Sequence, residues 1–251
     1  MNEVIQTMMN HRSCRQYSDK PVPDDHLQAI LRAAQWGPSW IHGQQVSVIV
    51  IREPNERELF AELVGGQAHV AQAPIFLVFC ADFHRAAVAA EARGKFLAAL
   101  EDVDALMVGA TDVGIALSNA ITAAESLGLG TVPIGGIRRQ PLRVIETLQL
   151  PSYVIPISGL CIGYPEETVE QKPRLPLDVF THDGRYEPLS QKTLAAYDEL
   201  ISGNTKQRTG GATTTTWSDR LISFYEQPYY QEIAAMLKQQ GFTCKNVKEE
   251  G

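Results

Sequence analysis

Between Asp104 and Glu125 the chain carries a single charged residue, Asp112. Few features restrict a fold more than a charge-poor run of this length. It reads as one long helix from Val103 to Leu127. Gly109, Thr111, Gly114, Ser118, Asn119 and Thr122 dilute its apolarity below that of a bilayer-spanning segment and permit close backbone packing. A helix with no polar face is buried all round. In a chain of 251 residues that predicts a core helix covered partly by the same chain and partly by a partner subunit.

The remaining elements fall around it. Asn2–Asn10 reads as a short helix. Pro23-Asp24-Asp25 starts another, with acids at the positive end of the helix dipole. Its apolar stripe is Leu27, Ile30, Leu31 and Ala34, and Gly37-Pro38 ends it. Val46–Ile51 and the apolar run Ile75–Cys80 read as strands, and Glu56–Val64 as a helix closed by Gly65-Gly66. Thr131–Ile134 and Val154–Ile162 are two further strands. From Tyr164 to Leu177 prolines and charges follow no period, and the chain is expected to run extended. Leu189–Ile201 is helical again, followed by a polar Gly/Thr-rich stretch to Thr216 that reads as a mobile loop. Trp217–Tyr225 and Tyr229–Gln240 read as terminal helices split by Pro228. Strands and helices without regular β-α alternation predict an α+β fold.

Net charge is -7, which argues against nucleic acid as a partner. Met1–Gln6 lacks the charged and apolar regions of a signal peptide. Cys14, Cys80, Cys161 and Cys244 are too widely spaced for a zinc site or a secreted disulfide framework. The expectation is a cytoplasmic protein with free thiols, no membrane segment and no metal.

Against this acidic background two segments concentrate cations: His11-Arg12-Ser13-Cys14-Arg15 and Lys172-Pro173-Arg174-Leu175-Pro176. If the first runs extended, His11, Ser13 and Arg15 share one face and Arg12 and Cys14 the other. Lys172 and Arg174 share a face by the same rule, and their prolines hold that strip extended. Two such strips would clamp a phosphate, with arginine as a fork and lysine as a point charge. Two solvated basic loops are the competing reading.

Other site signatures fail. Gly128 and Gly130 begin a dinucleotide fingerprint, but Pro133 occupies its third glycine position. No Walker A loop, G-x-S-x-G elbow or zincin spacing of the six histidines is present. The chemistry is left to a cofactor.

The two basic strips, with Gly128-Leu129-Gly130-Thr131-Val132-Pro133-Ile134-Gly135-Gly136 between them, resemble the FMN-dependent nitroreductase superfamily. The similarity is to its type A group, the oxygen-insensitive NADPH nitroreductases and flavin reductase P. Gly65-Gly66-Gln67, Ala81-Asp82-Phe83, Ala124-Glu125-Ser126-Leu127 and Trp217-Ser218-Asp219 extend it from about residue 2 to about residue 242. The resemblance implies a single nitroreductase-like domain over 1–251, built on a central mixed sheet between helices. It implies an intertwined homodimer with active sites in the subunit interface, a segment near 164–180 that embraces the partner, and a mobile loop near 203–216.

It also implies roles. His11 and Ser13 meet the FMN phosphate, and Lys172 and Arg174 close over it. Arg15 reaches the N1–C2=O edge. Arg12 belongs to the same motif, although its opposite direction equally suits a structural ion pair. Gln67 faces the polar rim of the ring system. Pro133, Ile134, Gly135 and Gly136 line the ring, with a Gly135 N–H donating to N5. Ser39 comes from the second subunit. Where the group carries a serine-rich run this chain has Trp40-Ile41-His42, which with His69 are substrate-pocket candidates. Trp40 would narrow the pocket, stack on an aromatic substrate, or anchor the dimer. Lys206 and Arg208 are candidates for the 2′-phosphate of NADPH, and Thr213 stands where some relatives have a second arginine. No side chain is assigned a covalent catalytic role. The flavin carries the chemistry, and Arg15 and Gly135 tune it. The expected activity is an NAD(P)H oxidoreductase, NADPH preferred over NADH, that reduces free flavin, nitroaromatics or quinones. The alternatives are a dehalogenase-like enzyme of the same superfamily and a flavin-binding sensor without turnover.

Overall fold

A computed structural model describes residues 1–167 and 169–247. It forms two compact units, one made of residues 1–169 and 230–251 and the other of residues 170–229.

The larger unit is organised on a four-stranded sheet. Its strands are β1 (Val46–Ile51), β2 (Ile75–Asp82), β3 (Gly130–Ile134) and β4 (Val154–Gly163), in spatial order β1-β2-β4-β3. All neighbouring strands pair antiparallel. The parallel component of the expected mixed sheet is a single bridge between Ser13 and Thr131. β2 is buried along its whole length, as its unbroken apolar run requires of a central strand.

Alternation along β2 supplies two cores. Ile75, Leu77, Phe79 and Ala81 face one, and Phe76, Val78 and Cys80 face the other. The first core is covered by α2 (Asp24–Gln35), α6 (Asp104–Ser126) and α11 (Ile233–Gln239). The second is covered by α3 (Pro54–Leu63), α4 (Ala68–Gln72) and α7 (Pro141–Leu148). Short helices α1 (Glu3–Met9) and α5 (His84–Glu91) complete this unit.

α6 matches the long helix read from the sequence. Ala105, Gly109, Asp112, Val113, Ala116, Ala120 and Ala124 form its buried stripe. Gly109 is necessary there, because a Cβ would stand 2.8 Å from the Ala81 Cβ and 3.0 Å from the Phe83 ring. The opposite face, with Met107, Ala110, Thr111, Gly114 and Ser118, is exposed in the single chain and carries no charge.

Three helices of this unit were not legible from periodicity: α4, α5 and α7. The first two are short, and Pro141 stands at the head of α7, where its missing N–H costs nothing. β4 pairs with β2 through a bulge. Phe79 stands opposite Ser158 and Cys80 opposite Pro156, which leaves Ile157 out of the ladder.

The smaller unit holds α8 (Leu177–Phe180), α9 (Gln191–Arg208) and α10 (Trp217–Tyr225). The helix expected over Leu189–Ile201 runs on to Arg208, so the stretch read as a loop from Gly203 begins as helix. Glycine at 203 costs a helix only about 1 kcal/mol, less than the Tyr197 side chain recovers by burial on α9. α10 starts at a capping box. Thr216 Oγ1 accepts the Asp219 N–H at 3.0 Å, and Asp219 Oδ2 accepts the Thr216 N–H at 3.1 Å.

Candidate active site

The first basic strip leaves α1 and runs beside the start of β3. Ser13 pairs with Thr131, and the Cys14 N–H donates to the Thr131 carbonyl at 2.8 Å. Along the strip Cys14 is buried, His11 and Ser13 are half-buried, and Arg12 and Arg15 are exposed. Cys14 is buried against Gly130, where a Cβ would lie 2.7 Å from the Cys14 Cβ. Arg12 and Cys14 line a cavity with Glu125, Gly128 and Gly130. His11 reaches Glu125 of this lining through Nδ1, at 2.6 Å. Arg12 donates to the Asn10 carbonyl at 3.2 Å.

β3 then delivers Pro133, Ile134, Gly135 and Gly136. Pro133 and Gly135 are exposed, and Ile134 and Gly136 are buried. Gly136 is required, since a Cβ would stand 2.5 Å from the Val64 carbonyl and 2.6 Å from Gln67 Nε2. That contact brings the loop after α3 to the end of β3. Gln67 Nε2 donates to the Val64 carbonyl at 2.9 Å, which fixes the amide beside the glycine pair. A Cβ on Gly135 would meet only Arg138 Nη2, at 3.9 Å, so its backbone is open to a flat ligand.

His69 joins this group. Burial, and then the Arg15 guanidinium nearby, push its imidazole below its ordinary range. The ring is therefore neutral at pH 7. Its Nε2 is buried with no hydrogen-bond partner among the described residues. Burial pushes the Cys14 thiol up, and pushes Cys80 up to about 12. These thiols are core residues rather than nucleophiles, and all four cysteines are free.

Ser39, Trp40, Ile41 and His42 stand apart from the strip. The Trp40 N–H donates to both carboxylate oxygens of Asp112 at 3.2 Å, and Ser39 Oγ accepts the Gln44 N–H at 3.1 Å. Asp112 and Glu125, which meet these two groups respectively, are separated by about 20 Å along α6 at 1.5 Å per residue. Trp40 and Ile41 are exposed. Ile41, His42 and Gln44 have φ of 49°, 57° and 50°. A β-branched residue in the left-handed region is strained, so the Asp112 and Ser39 contacts hold this loop against its own preference.

In the smaller unit Arg174 donates to the Lys172 carbonyl at 2.9 Å, and Tyr197 donates to the Pro173 carbonyl at 3.1 Å. The second strip is thus pinned to α9. Lys206 and Arg208 are exposed on the last turn of α9. Two residues apart on a helix, they point about 200° away from each other, which is not the shared face that a common phosphate contact needs.

Sequence reasoning missed three contributors. Glu125 lies 2.6 Å from His11 Nδ1 and accepts from Thr131 Oγ1 at 2.7 Å. Arg138 donates to the Ile157 carbonyl at 2.5 Å, an acceptor that the β4 bulge leaves outside the ladder. Asp112 is buried. A lone acid in an otherwise uncharged helix was the available signal for Asp112, and an arginine directly after Gly135-Gly136-Ile137 the signal for Arg138. Among the described residues no group of three or more His, Cys, Asp or Glu side chains is placed to hold a metal.

The family model described as Nitroreductase family matches residues 8–164, and that for the Nitroreductase family C-terminal domain matches residues 172–245. The chain belongs to the nitroreductase family. Its likeness to individual nitroreductases runs end to end. It is 46% identical over 245 residues to an FMN reductase [NAD(P)H] of Bacillus subtilis, covering 96% of this chain and 98% of that one. It is 41% identical over 246 residues to an oxygen-insensitive NADPH nitroreductase of Salmonella typhimurium, covering 98% and 100%. Among solved structures, NfrA2 of B. megaterium matches with a TM-score of 0.95 at 48% identity, over 96% of this chain and 98% of that one. The NADPH:FMN oxidoreductase of Vibrio harveyi complexed with NAD+ matches at 0.86 and 32% identity, over 96% and 99%. The fold is the nitroreductase fold, as the sequence resemblance implied.

Proposed function

We propose that this nitroreductase is an FMN-containing NAD(P)H oxidoreductase of the flavin reductase and oxygen-insensitive nitroreductase type. The observation that carries the reading is one face of donors beside one open backbone. An extended strip bonded to β3 would turn His11, Ser13 and Arg15 to one side, and β3 ends in the exposed Gly135 beside Gln67 and His69. The residues present fit FMN: cations and a hydroxyl for its phosphate, amide and cationic groups for its polar rim, and a bare glycine for its ring. Relatives named FMN reductase, NADPH nitroreductase and NADPH-flavin oxidoreductase support this over a dehalogenase or a sensor.

When bound, FMN supplies the hydride and electron chemistry that no side chain here can. The chain's own residues bind and bias. His11 and Ser13 donate to the phosphate, with Lys172 and Arg174 as the further cations that the resemblance assigns to it. Arg15 places positive charge by the pyrimidine edge, where negative charge accumulates on reduction. Gln67, held by the Val64 carbonyl, offers an amide to the same rim. Gly135 presents its N–H without a side chain in the way. Neutral His69 lines the substrate space with an unsatisfied ring nitrogen.

The exposed face of α6, where Met107 and Thr111 border Trp40, supports a homodimer that covers it and brings Ser39 to the partner's flavin. A bacterial cytoplasmic enzyme fits the same relatives. Aerobic oxidation of NADPH by the purified protein tests the function. Turnover that rises when nitrofurazone or free FMN is added is the expected result. Bound flavin without turnover would make the protein a sensor, and absence of bound flavin would refute the reading.

A further inference from the structure

Glu125 stands in the last turn of α6, where a carboxylate meets the negative end of the helix dipole. Its side chain is only 12% exposed. Both features make a bare charge costly there, so its partners matter. His11 Nδ1 lies 2.6 Å from Oε1, and Thr131 Oγ1 donates to the same oxygen at 2.7 Å. Thr131 is in turn tied to the strip through Ser13 and the Cys14 N–H. One carboxylate oxygen therefore joins the helix end, the strand start and the strip. Glu3, Arg12 and Glu167 line the cavity on the other side of Glu125.

A carboxylate oxygen at this distance from Nδ1 requires the proton on that nitrogen. The ring can then donate to an anion through Nε2 only with both nitrogens protonated, and Glu125 is the counter-charge for that cation. We infer that Glu125 is a positioning residue for the phosphate site. It orients the His11 imidazole and sustains it as a donor to the FMN phosphate. The inference rests on the FMN reading above.

The test uses the flavin-stripped full-length protein, titrated with FMN and with riboflavin by fluorescence quenching. Glu125→Gln keeps an acceptor oxygen for both donors and removes only the charge. It should weaken FMN about five- to tenfold, less than the loss of a whole charge-assisted hydrogen bond because both donors keep an acceptor, while riboflavin changes by less than about twofold. In a His11→Ala background it should add nothing. Glu125→Asp, which keeps the charge but draws it back by one methylene, should also weaken FMN selectively. Equal losses for FMN and riboflavin would make Glu125 a fold residue, and no loss for either would equally overturn the inference. If His11→Ala leaves the preference for FMN over riboflavin unchanged, the phosphate assignment itself fails. If His11→Ala removes that preference and Glu125→Gln does not, only the role of Glu125 fails.

Discussion

At the scale of single residues, Arg15 acts on His69. Burial first, and then the Arg15 guanidinium, keep the imidazole neutral. Arg15→Ala should make the bound flavin harder to reduce, because a cation near the pyrimidine edge stabilises the anionic reduced form. The potential should fall by on the order of tens of millivolts, as read by a redox titration with flavin still bound. An unchanged or raised potential would remove Arg15 from that role. His69 gives a pH dependence. Its imidazole is lowered in the folded protein, so the unfolded chain binds the extra proton first. The stability it contributes is full above the ordinary value of about 6.5 and is lost as pH falls below it. Melting temperature should therefore drop more steeply from about pH 7 to about pH 5, across the ordinary imidazole range, in the wild type than in His69→Gln. Parallel curves would contradict the burial argument.

At the scale of elements, α6 explains most of the architecture. Its small residues are spaced to let β2 approach, and Gly109 is the tightest of these contacts. Gly109→Ala should cost about 1–3 kcal/mol in denaturant unfolding, the usual range for overpacking. An unchanged midpoint would mean that helix and sheet are looser than the 2.8 Å approach implies. The end of α9 gives a second prediction. Lys206 and Arg208 point to different sides, so only one of them can read a 2′-phosphate. One of the two single alanine variants should raise KM for NADPH several-fold, about 1 kcal/mol for an exposed charged contact, with NADH unaffected. Equal losses for both cofactors would make this turn a lid. No loss would leave Lys206 and Arg208 with only the favourable placement of cations at a helix C-terminus.

The elements with strong periodicity or long apolar runs were legible in the sequence: α2, α6 and β1 end where composition says they should, and β2 runs past its apolar stretch to Asp82. The strip's backbone course was legible too, and it runs beside β3 through the Ser13–Thr131 bridge with Cys14 buried. Short helices such as α4 and α5 were not, since a turn or two of helix leaves no period to read. Nor was the role of Ile157, because a bulge frees its carbonyl only through pairing with a distant strand. Glu125 was quoted for its place in a motif, but its partnership with His11 spans 114 residues and depends on folding.

At the scale of the whole molecule, the exposed face of α6 and the strained loop of Ile41, His42 and Gln44 are the surfaces that the proposed second copy would cover. The account's central claim is nevertheless chemical: the face built by His11, Ser13, Arg15, Gln67 and Gly135 holds FMN for two-electron transfer from NADPH to a small acceptor. Anaerobic rapid mixing of the purified yellow protein with NADPH tests it most directly. The visible flavin absorption should bleach, with about one equivalent of NADPH consumed per flavin, and adding nitrofurazone or free FMN should restore it. A flavin that stays oxidised under excess NADPH and NADH, or a reduced flavin that none of these acceptors reoxidises, would contradict the account.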